Sequence, residues 1–415
     1  MPQRLSERTP REHPDPGASG LDSETWSTAA AVSLGDTDVC IAGGGPAGLA
    51  CAIASALKGL RVRVIDGMKP AIDKACGEGL MPDTLVALAK LGIRMDDPAR
   101  PDLGRPFRGI RFLEAQPAPA PNPIAQASFP SSSGRGVSRL LLHQRLLDRA
   151  TELGVGFHWQ TSVKGIEQGI GCSTIHTSRG PLQARFLIGA DGHQSRVRSC
   201  AGLDRAVLSA RRIGLRQHFA VAPWTDFVEV YWSANGQAYV TPVSDHEVCV
   251  AFIARHKFPS VAAALACFPQ LQTQLAAAIP SDIPRGAITL SRKLHRVTRG
   301  NIALVGDASG SVDAVTGEGL SLCFRQALAL ADALAAHDLA QYQRAHTELC
   351  RRPHLMAAAL LLLDRSPRLR TLVLTRFARQ PQLFHHLLEL HIGESPLRFF
   401  GRSGLLATGL QLLSA

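Results

Sequence analysis

Gly43, Gly45 and Gly48 stand in the run GGGPAG, a GxGxxG spacing between the apolar stretch DVCIA and a run of small and apolar residues. The first glycine of such a pattern makes a tight turn, the second lets backbone approach a pyrophosphate, and the third lets a helix pack closely on a strand. Pro46 suits the first helical position, where its missing N–H is no loss, and Ala47 keeps the turn small. The helix start then offers free amides to an anion. Asp66 closes the next apolar run, RVRVID, about twenty residues on, where a carboxylate accepts from ribose hydroxyls. This is the chemistry of dinucleotide binding, NAD or FAD by these residues alone. An acid at position 66 argues against a 2′-phosphate there.

Two more strand ends carry the same signature. GADG, with Asp191 and Gly192, follows the apolar run from Phe186 to Ile188. NIALV leads into GDASGSVDAVTGEGLSL, with Gly306, Asp307, Gly317, Gly319 and Leu320 in a stretch made almost wholly of small residues. A connection from strand to helix does not need that many small side chains merely to turn. Acids and glycines at three strand ends fit a cofactor that spans the carboxyl edge of an α/β sheet.

The elements that must position them read as follows. A strand ending at Ala42, a helix over about 46–58 and RVRVID form a βαβ unit. FRGIRFLEA and IAQASFP read as strands joined by QPAPAPNP. SRLLLHQRLLDRATELGV is an amphipathic helix, with Leu140, Leu141, Leu142, Leu146 and Leu147 as its apolar residues. FVEVYW, QAYVTPV and EVCVAFIA read as consecutive strands of an antiparallel sheet, and SVAAALACFPQLQTQLAAAI as a helix. The expected organisation is a disordered leader over 1–34 and a nucleotide-binding domain over 35–104, 135–204 and 291–345. A substrate domain over 105–134 and 205–290 interrupts it, and a helical region over 346–415 follows.

The 415 residues carry a net charge of +11, with 45% apolar and 19% charged side chains, so most of the chain is globular. The basic residues are scattered and the chain has only three tyrosines, which excludes a nucleic-acid binder of the common kinds. The charge excess fits a solvated surface, an anionic cofactor or an anionic membrane. Nine cysteines without a CxxC pair point to a reducing, cytoplasmic compartment, with Cys40, Cys51, Cys249 and Cys323 as core thiols. The leader lacks the apolar stretch of a signal peptide, and no run reaches the roughly 18–20 residues of a membrane span. The stretch from Leu355 to Leu390 combines apolar stripes with arginines, and reads as helices docked on the protein or lying on a membrane surface. His385, His386 and His391 lack a metal-binding spacing. His143 and His193 read as surface residues, and Lys74 as a phosphate partner or a solvated cation.

The order GxGxxG, acid, a helix opened by Arg139, GADG, GD and TGEG resembles the flavoprotein class of para-hydroxybenzoate hydroxylase and the geranylgeranyl reductases, over roughly 36–345. The resemblance implies an α/β fold: a Rossmann-like FAD-binding domain of the glutathione-reductase type, an interleaved antiparallel-sheet substrate domain and a helical C-terminal tail. It implies FAD in an extended pose, with Gly43, Gly45, Ala47 and Gly48 at the pyrophosphate, Asp66 at the ribose, Arg139 at the phosphates and Val163 offering backbone to the adenine. Asp191 and Gly192 would lie near both FAD and a passing NADH or NADPH, and Asp307 would bond the ribityl chain. The small residues from Ala308 to Gly319 would let backbone approach the flavin ring. The helix opening near Gly319 would turn its positive end to the pyrimidine edge.

Two branches of that class compete. Ser309 and Gly310 replace the histidine-containing GDAxH of the hydroxylases. TGEG and the Cys76–Gly77 pair of KACGEGLMP lean to the reductases, whereas GEGLMPDTLVALAKLGI resembles the hydroxylases. Cys76 reads as an accessible thiol near the flavin or as a gap-filler. Tyr231 and Tyr239 read as proton donors of the substrate pocket or as packing. The expected function is an NAD(P)H-dependent FAD monooxygenase of a lipophilic or phenolic substrate. The alternative is a flavin reductase of prenyl or polyene double bonds, and the third reading a flavin-free escort of lipids.

Overall fold

Val39–Ala42 is buried at every residue and pairs in parallel with Val62–Asp66 on one side and Phe186–Gly189 on the other. This is the centre of a computed structural model that describes residues 37–95, 102–115 and 125–395, with backbone alone for 208–210. The expected leader, the Pro/Ala-rich link and the end of the tail beyond 395 lie outside the described residues. A six-stranded sheet is completed by Gly156–Trp159 at one edge and by Ile302–Leu304 and Thr298–Arg299 at the other. All neighbours are parallel except the last pair, so the carboxyl ends at Gly43, Asp66, Ala190 and Val305 share one edge.

The helices, in chain order, are α1 (Pro46–Leu57), α2 (Pro82–Lys90), α3 (Arg139–Glu152), α4 (Arg196–Cys200), α5 (Val261–Leu265), α6 (Pro269–Gln274), α7 (Gly319–Ala335), α8 (Leu339–Arg365), α9 (Pro367–Arg379) and α10 (Pro381–Ile392). α1 is rich in small residues and packs against α7 and α3 over the parallel sheet. On α3, Leu142 and Leu146 are buried while Leu140 is 44% exposed, so only part of the leucine cluster faces the core. Arg139 and His143 share the buried stripe instead. The expected helix over 260–279 is two short ones. Pro269 cannot continue the ladder and drives Phe268 out of helical geometry (φ −136°, ψ 71°).

A nine-stranded sheet forms the second layer. Its hairpins Phe227–Ser233, Gly236–Pro242 and Glu247–Ala254 are antiparallel, as their alternation predicts. One neighbour pair, Gly109–Glu114 with Phe227–Ser233, is parallel. Those strands come from separate excursions of the chain, so no hairpin dictates their direction. Arg285–Leu294 runs across position 290/291 and pairs with Ala206–Ala220 along its whole length. α8, α9 and α10 lay Leu360, Leu374, Phe377, Phe384 and Leu388 against Phe112 and Trp232 of this sheet. No helix of the described residues is long and apolar enough to cross a membrane.

Candidate functional site

The glycine turn separates what the fold demands from what it leaves open. Gly43 has φ +116°, and a Cβ there would sit 2.3 Å from the Ala190 carbonyl oxygen. A Cβ on Gly48 would meet the Gly43 carbonyl at 1.8 Å. Around Gly45, by contrast, nothing lies within 4 Å, and no side chain caps the α1 start that follows it. Chain packing explains Gly43 and Gly48 but not Gly45, which faces free space at an uncapped helix start, as a pyrophosphate requires. Asp66 braces the turn: its carboxylate accepts from the Gly44 and Met68 amides, each at 2.7 Å. His143 is fully buried, 2.9 Å from the Gly44 carbonyl, and burial holds its pKa down. It is a buttress of the turn and not a surface residue. Its place one turn beyond Arg139 on the apolar stripe of α3 was the available signal. Trp159, also unforeseen, packs where a Gly44 side chain would stand.

At the next strand end Asp191 caps α4, accepting from the amides of Arg196 (2.7 Å) and Val197 (3.1 Å), while its Oδ1 stays unpartnered. Gly192 has φ +79° and the Lys74 ammonium close by. Asp307 is exposed, with His193 Nε2 3.3 Å from its carboxylate, so His193 belongs to the site as well. Gly317 is left-handed (φ +68°), and Gly319 opens α7 with nothing within 4 Å of the point where a Cβ would stand. Arg139 is 8% exposed, and its Nε has no partner. Val163 opens the strand Val163–Gln168 opposite Thr177, in a separate three-stranded sheet.

These features fit FAD. A cavity of about 380 Å³ is lined by Pro46, Ala47, Arg139, Gly306, Asp307, Gly317, Gly319 and Leu320, and also by Ile110, Phe112, Val230, Trp232, Leu360 and Phe384, which belong to one hydrophobic cluster. Tyr239 is on its wall and donates to the Val315 carbonyl at 2.8 Å, with burial pushing its phenol pKa up. Tyr231 is not. The hairpin register sets Tyr231 opposite Ala238 and Tyr239 opposite Val230, so the two phenols face opposite sides of the sheet. Tyr231 is fully buried beside Glu229 (2.7 Å) and Gln274 (2.9 Å), which corrects its place among the pocket residues.

Cys76 lines the same cavity, half-buried, and burial pushes its thiol pKa up, so the thiol is protonated at neutral pH. Its loop is held from below. Glu78 adopts φ 59°, rare for a residue with a side chain. One Glu78 oxygen accepts from the Arg139 amide at 3.0 Å and the other lies 2.6 Å from His218 Nε2. His218 Nδ1 is 2.9 Å from Asp282, and Arg216 binds Asp73 at 2.7 Å and Asp282. Burial alone would depress the His218 pKa, but the Glu78 and Asp282 carboxylates overcome it and raise it to about 9. Glu78, His218 and Cys249 approach closely enough to share an ion, yet the Arg216 guanidinium, 3.8 Å from Glu78, already supplies the positive charge. Single-sequence patterns gave no sign of this cluster, because its members lie on separate excursions of the chain.

A family model described as an FAD binding domain matches residues 36–346. The chain belongs to that family and is an FAD-dependent oxidoreductase. Digeranylgeranylglycerophospholipid reductase 1 of Methanopyrus kandleri is 26% identical over 305 residues, which cover 68% of this chain and 76% of that protein. The 12-dehydrotetracycline 5-monooxygenase/anhydrotetracycline 6-monooxygenase of Streptomyces rimosus is 27% identical over 329 residues, 72% of this chain and 62% of that protein. The crystal structure of p-nitrophenol 4-monooxygenase from Pseudomonas putida superimposes with a TM-score of 0.71 at 18% identity, covering 87% of this chain and 99% of that one. Both branches expected from the motifs are thus among the relatives.

Proposed function

We propose that the protein hydroxylates a lipophilic or phenolic substrate with FAD and electrons from NADH or NADPH. The observation that carries this reading is the single chamber, in which the small-residue loop Gly306–Leu320 meets the apolar wall of Phe112, Trp232, Leu360 and Phe384. Gly45 and the α1 amides would hold the pyrophosphate, with Gly43 and Gly48 shaping the turn around them. Asp66 would face the ribose, Arg139 the phosphates, Val163 the adenine, Asp307 the ribityl chain, and Gly317, Gly319 and Leu320 the ring edge. Asp191 and Gly192 would lie along the path of the nicotinamide cofactor. FAD, when bound, supplies two-electron transfer and the activation of O₂. The chain's own part is to exclude water with the apolar wall, to orient the substrate, and to turn the positive end of α7 toward developing negative charge. Leu362 and Leu372 are 54% and 40% exposed beside Arg365 and Arg368, a face suited to peripheral membrane contact while such a substrate is taken up.

The test is turnover with NADH or NADPH, long-chain phenols and heavy-isotope O₂. A product heavier by one labelled oxygen is expected; a product without label contradicts the reading. A second reading, reduction of a prenyl or polyene double bond, rests on Cys76. Its protonated thiol on the chamber wall could supply the proton that accompanies a hydride. Full turnover without oxygen would favour it.

A further inference from the structure

His391, which lines the apolar chamber, and Glu318 beside it carry polar atoms without hydrogen-bond partners. Glu318, between Gly317 and Gly319 of the chamber wall, has a side chain that is 2% exposed, yet neither carboxylate oxygen has a hydrogen-bond partner. His391, from the last turn of α10, is 6% exposed and lines the chamber; its Nδ1 is also unpartnered, 3.7 Å from Glu318 Oε2. The other charges around Glu318 are Arg352, Arg325 and Asp83; Arg352 Nη2 lies 3.7 Å from the Asp83 carboxylate, and Arg325 has N–H groups without hydrogen-bond partners. Trp232 Nε1, on the chamber wall, is also without a hydrogen-bond partner. A buried imidazole on the wall of an apolar cavity, with a carboxylate 3.7 Å from its Nδ1, leaves its other ring nitrogen, Nε2, as the group that a polar ligand atom would meet there.

The packing of α10 fixes where such a ligand would meet the imidazole. Phe384 stacks on Phe377 at 5.0 Å and packs on Phe112 at 4.8 Å, and Gly393 (φ +81°) ends the helix over Arg352. The imidazole is therefore carried on a packed element, with Nδ1 toward Glu318 and the ring in the wall.

We propose that Glu318 and His391 form the docking point for a hydroxyl group on the lipophilic substrate. The substrate O–H donates to His391 Nε2, and His391 Nδ1–H donates to Glu318 once the pair closes from 3.7 Å by about half an ångström or more. If the hydroxyl ionises, its proton moves to Nε2 and the imidazolium is balanced by the Glu318 carboxylate. No electron transfer is involved in this step. The substrate class is thus a hydroxyl-bearing lipophile and not a plain hydrocarbon chain. The inference rests on the lipophilic chamber proposed above.

The experiment titrates the FAD-loaded protein with 4-octylphenol, its methyl ether and octylbenzene, following tryptophan fluorescence. Wild type is expected to bind the phenol about 10-fold or more tightly than either analogue, the worth of one buried hydrogen bond. His391→Leu should lose that preference while keeping its affinity for octylbenzene, which also reports that the variant is folded. Glu318→Gln, which keeps an acceptor for Nδ1–H, should retain part of it. Equal affinities in wild type, or an undiminished preference in folded His391→Leu, overturns the docking point and leaves the lipophilic chamber standing. Failure to bind any of the three overturns both.

Discussion

Glu78 Oε2 lies 2.6 Å from His218 Nε2, and this contact ties the loop that carries Cys76 to the long strand Ala206–Ala220 of the second sheet. The same carboxylate receives the Arg139 amide. One buried side chain thereby spaces the thiol, the first turn of α3 and the second sheet around the cavity. The left-handed backbone at Glu78 is the local cost of that placement.

The clamp makes stability depend on pH. His218 titrates at about 9 in the folded chain and near its ordinary 6.5 when unfolded, so its contribution is complete below the unfolded value and is lost as pH rises through about 9. The shift corresponds to at most roughly 3 kcal/mol. Melting temperature is expected to fall across that window in wild type and to fall less in His218→Gln. Parallel curves for the two proteins would contradict the clamp.

The two tyrosines should part company. Tyr231→Phe removes a buried hydroxyl beside Glu229 and Gln274, and is expected to destabilise by about 1–2 kcal/mol without changing substrate affinity. Tyr239→Phe, on the chamber wall, should alter affinity or turnover more than melting temperature. Denaturant unfolding and steady-state kinetics on both variants decide this.

Gly45 and Gly48 offer a contrast within one motif. Gly48→Ala drives a methyl into the Gly43 carbonyl and should destabilise the fold by on the order of 3–5 kcal/mol. Gly45→Ala meets nothing in the chain and should stay within about 1 kcal/mol of wild type. It should nevertheless bind FAD about tenfold more weakly or worse. Stability without flavin and FAD titration, measured on both, give the answer.

Thiol labelling reads the Cys76 environment. Cys200 is exposed, whereas Cys76 is half-buried with its pKa raised by burial. At neutral pH a maleimide should modify Cys200 first and Cys76 slowly, and bound FAD should slow Cys76 further. Mass mapping of the labelled peptides that shows Cys76 reacting as fast as Cys200 would contradict the protonated, sheltered thiol.

The cofactor side of the molecule was legible because its signals are local. The glycine spacing and an acid at a strand end show within short segments, even where the group they clear or brace, such as the Ala190 carbonyl at Gly43, lies far along the chain. The second sheet was legible only in outline. Period-two alternation finds the strands on which Tyr231 and Tyr239 lie, but the register between them decides which phenol faces the cavity. His218, Glu318 and His391 had no local signature. Their partners arrive from strands and helices far along the chain, and a buried ion pair is written in the fold rather than in any one segment. Arg285–Leu294 shows the same limit: its pairing, and not its composition, assigns it to the second sheet through Leu294.

The central claim is that one chamber takes both the flavin ring and a lipophilic substrate. The most direct measurement is a titration of the FAD-loaded protein with a long-chain alkylphenol, recording the visible absorbance of the flavin and the protein fluorescence together. Both signals are expected to change over the same concentration range, and Leu360→Trp, which fills the cavity from its apolar wall, is expected to suppress both. Binding seen by fluorescence with an unperturbed flavin spectrum, or a protein that takes up no FAD, would contradict it.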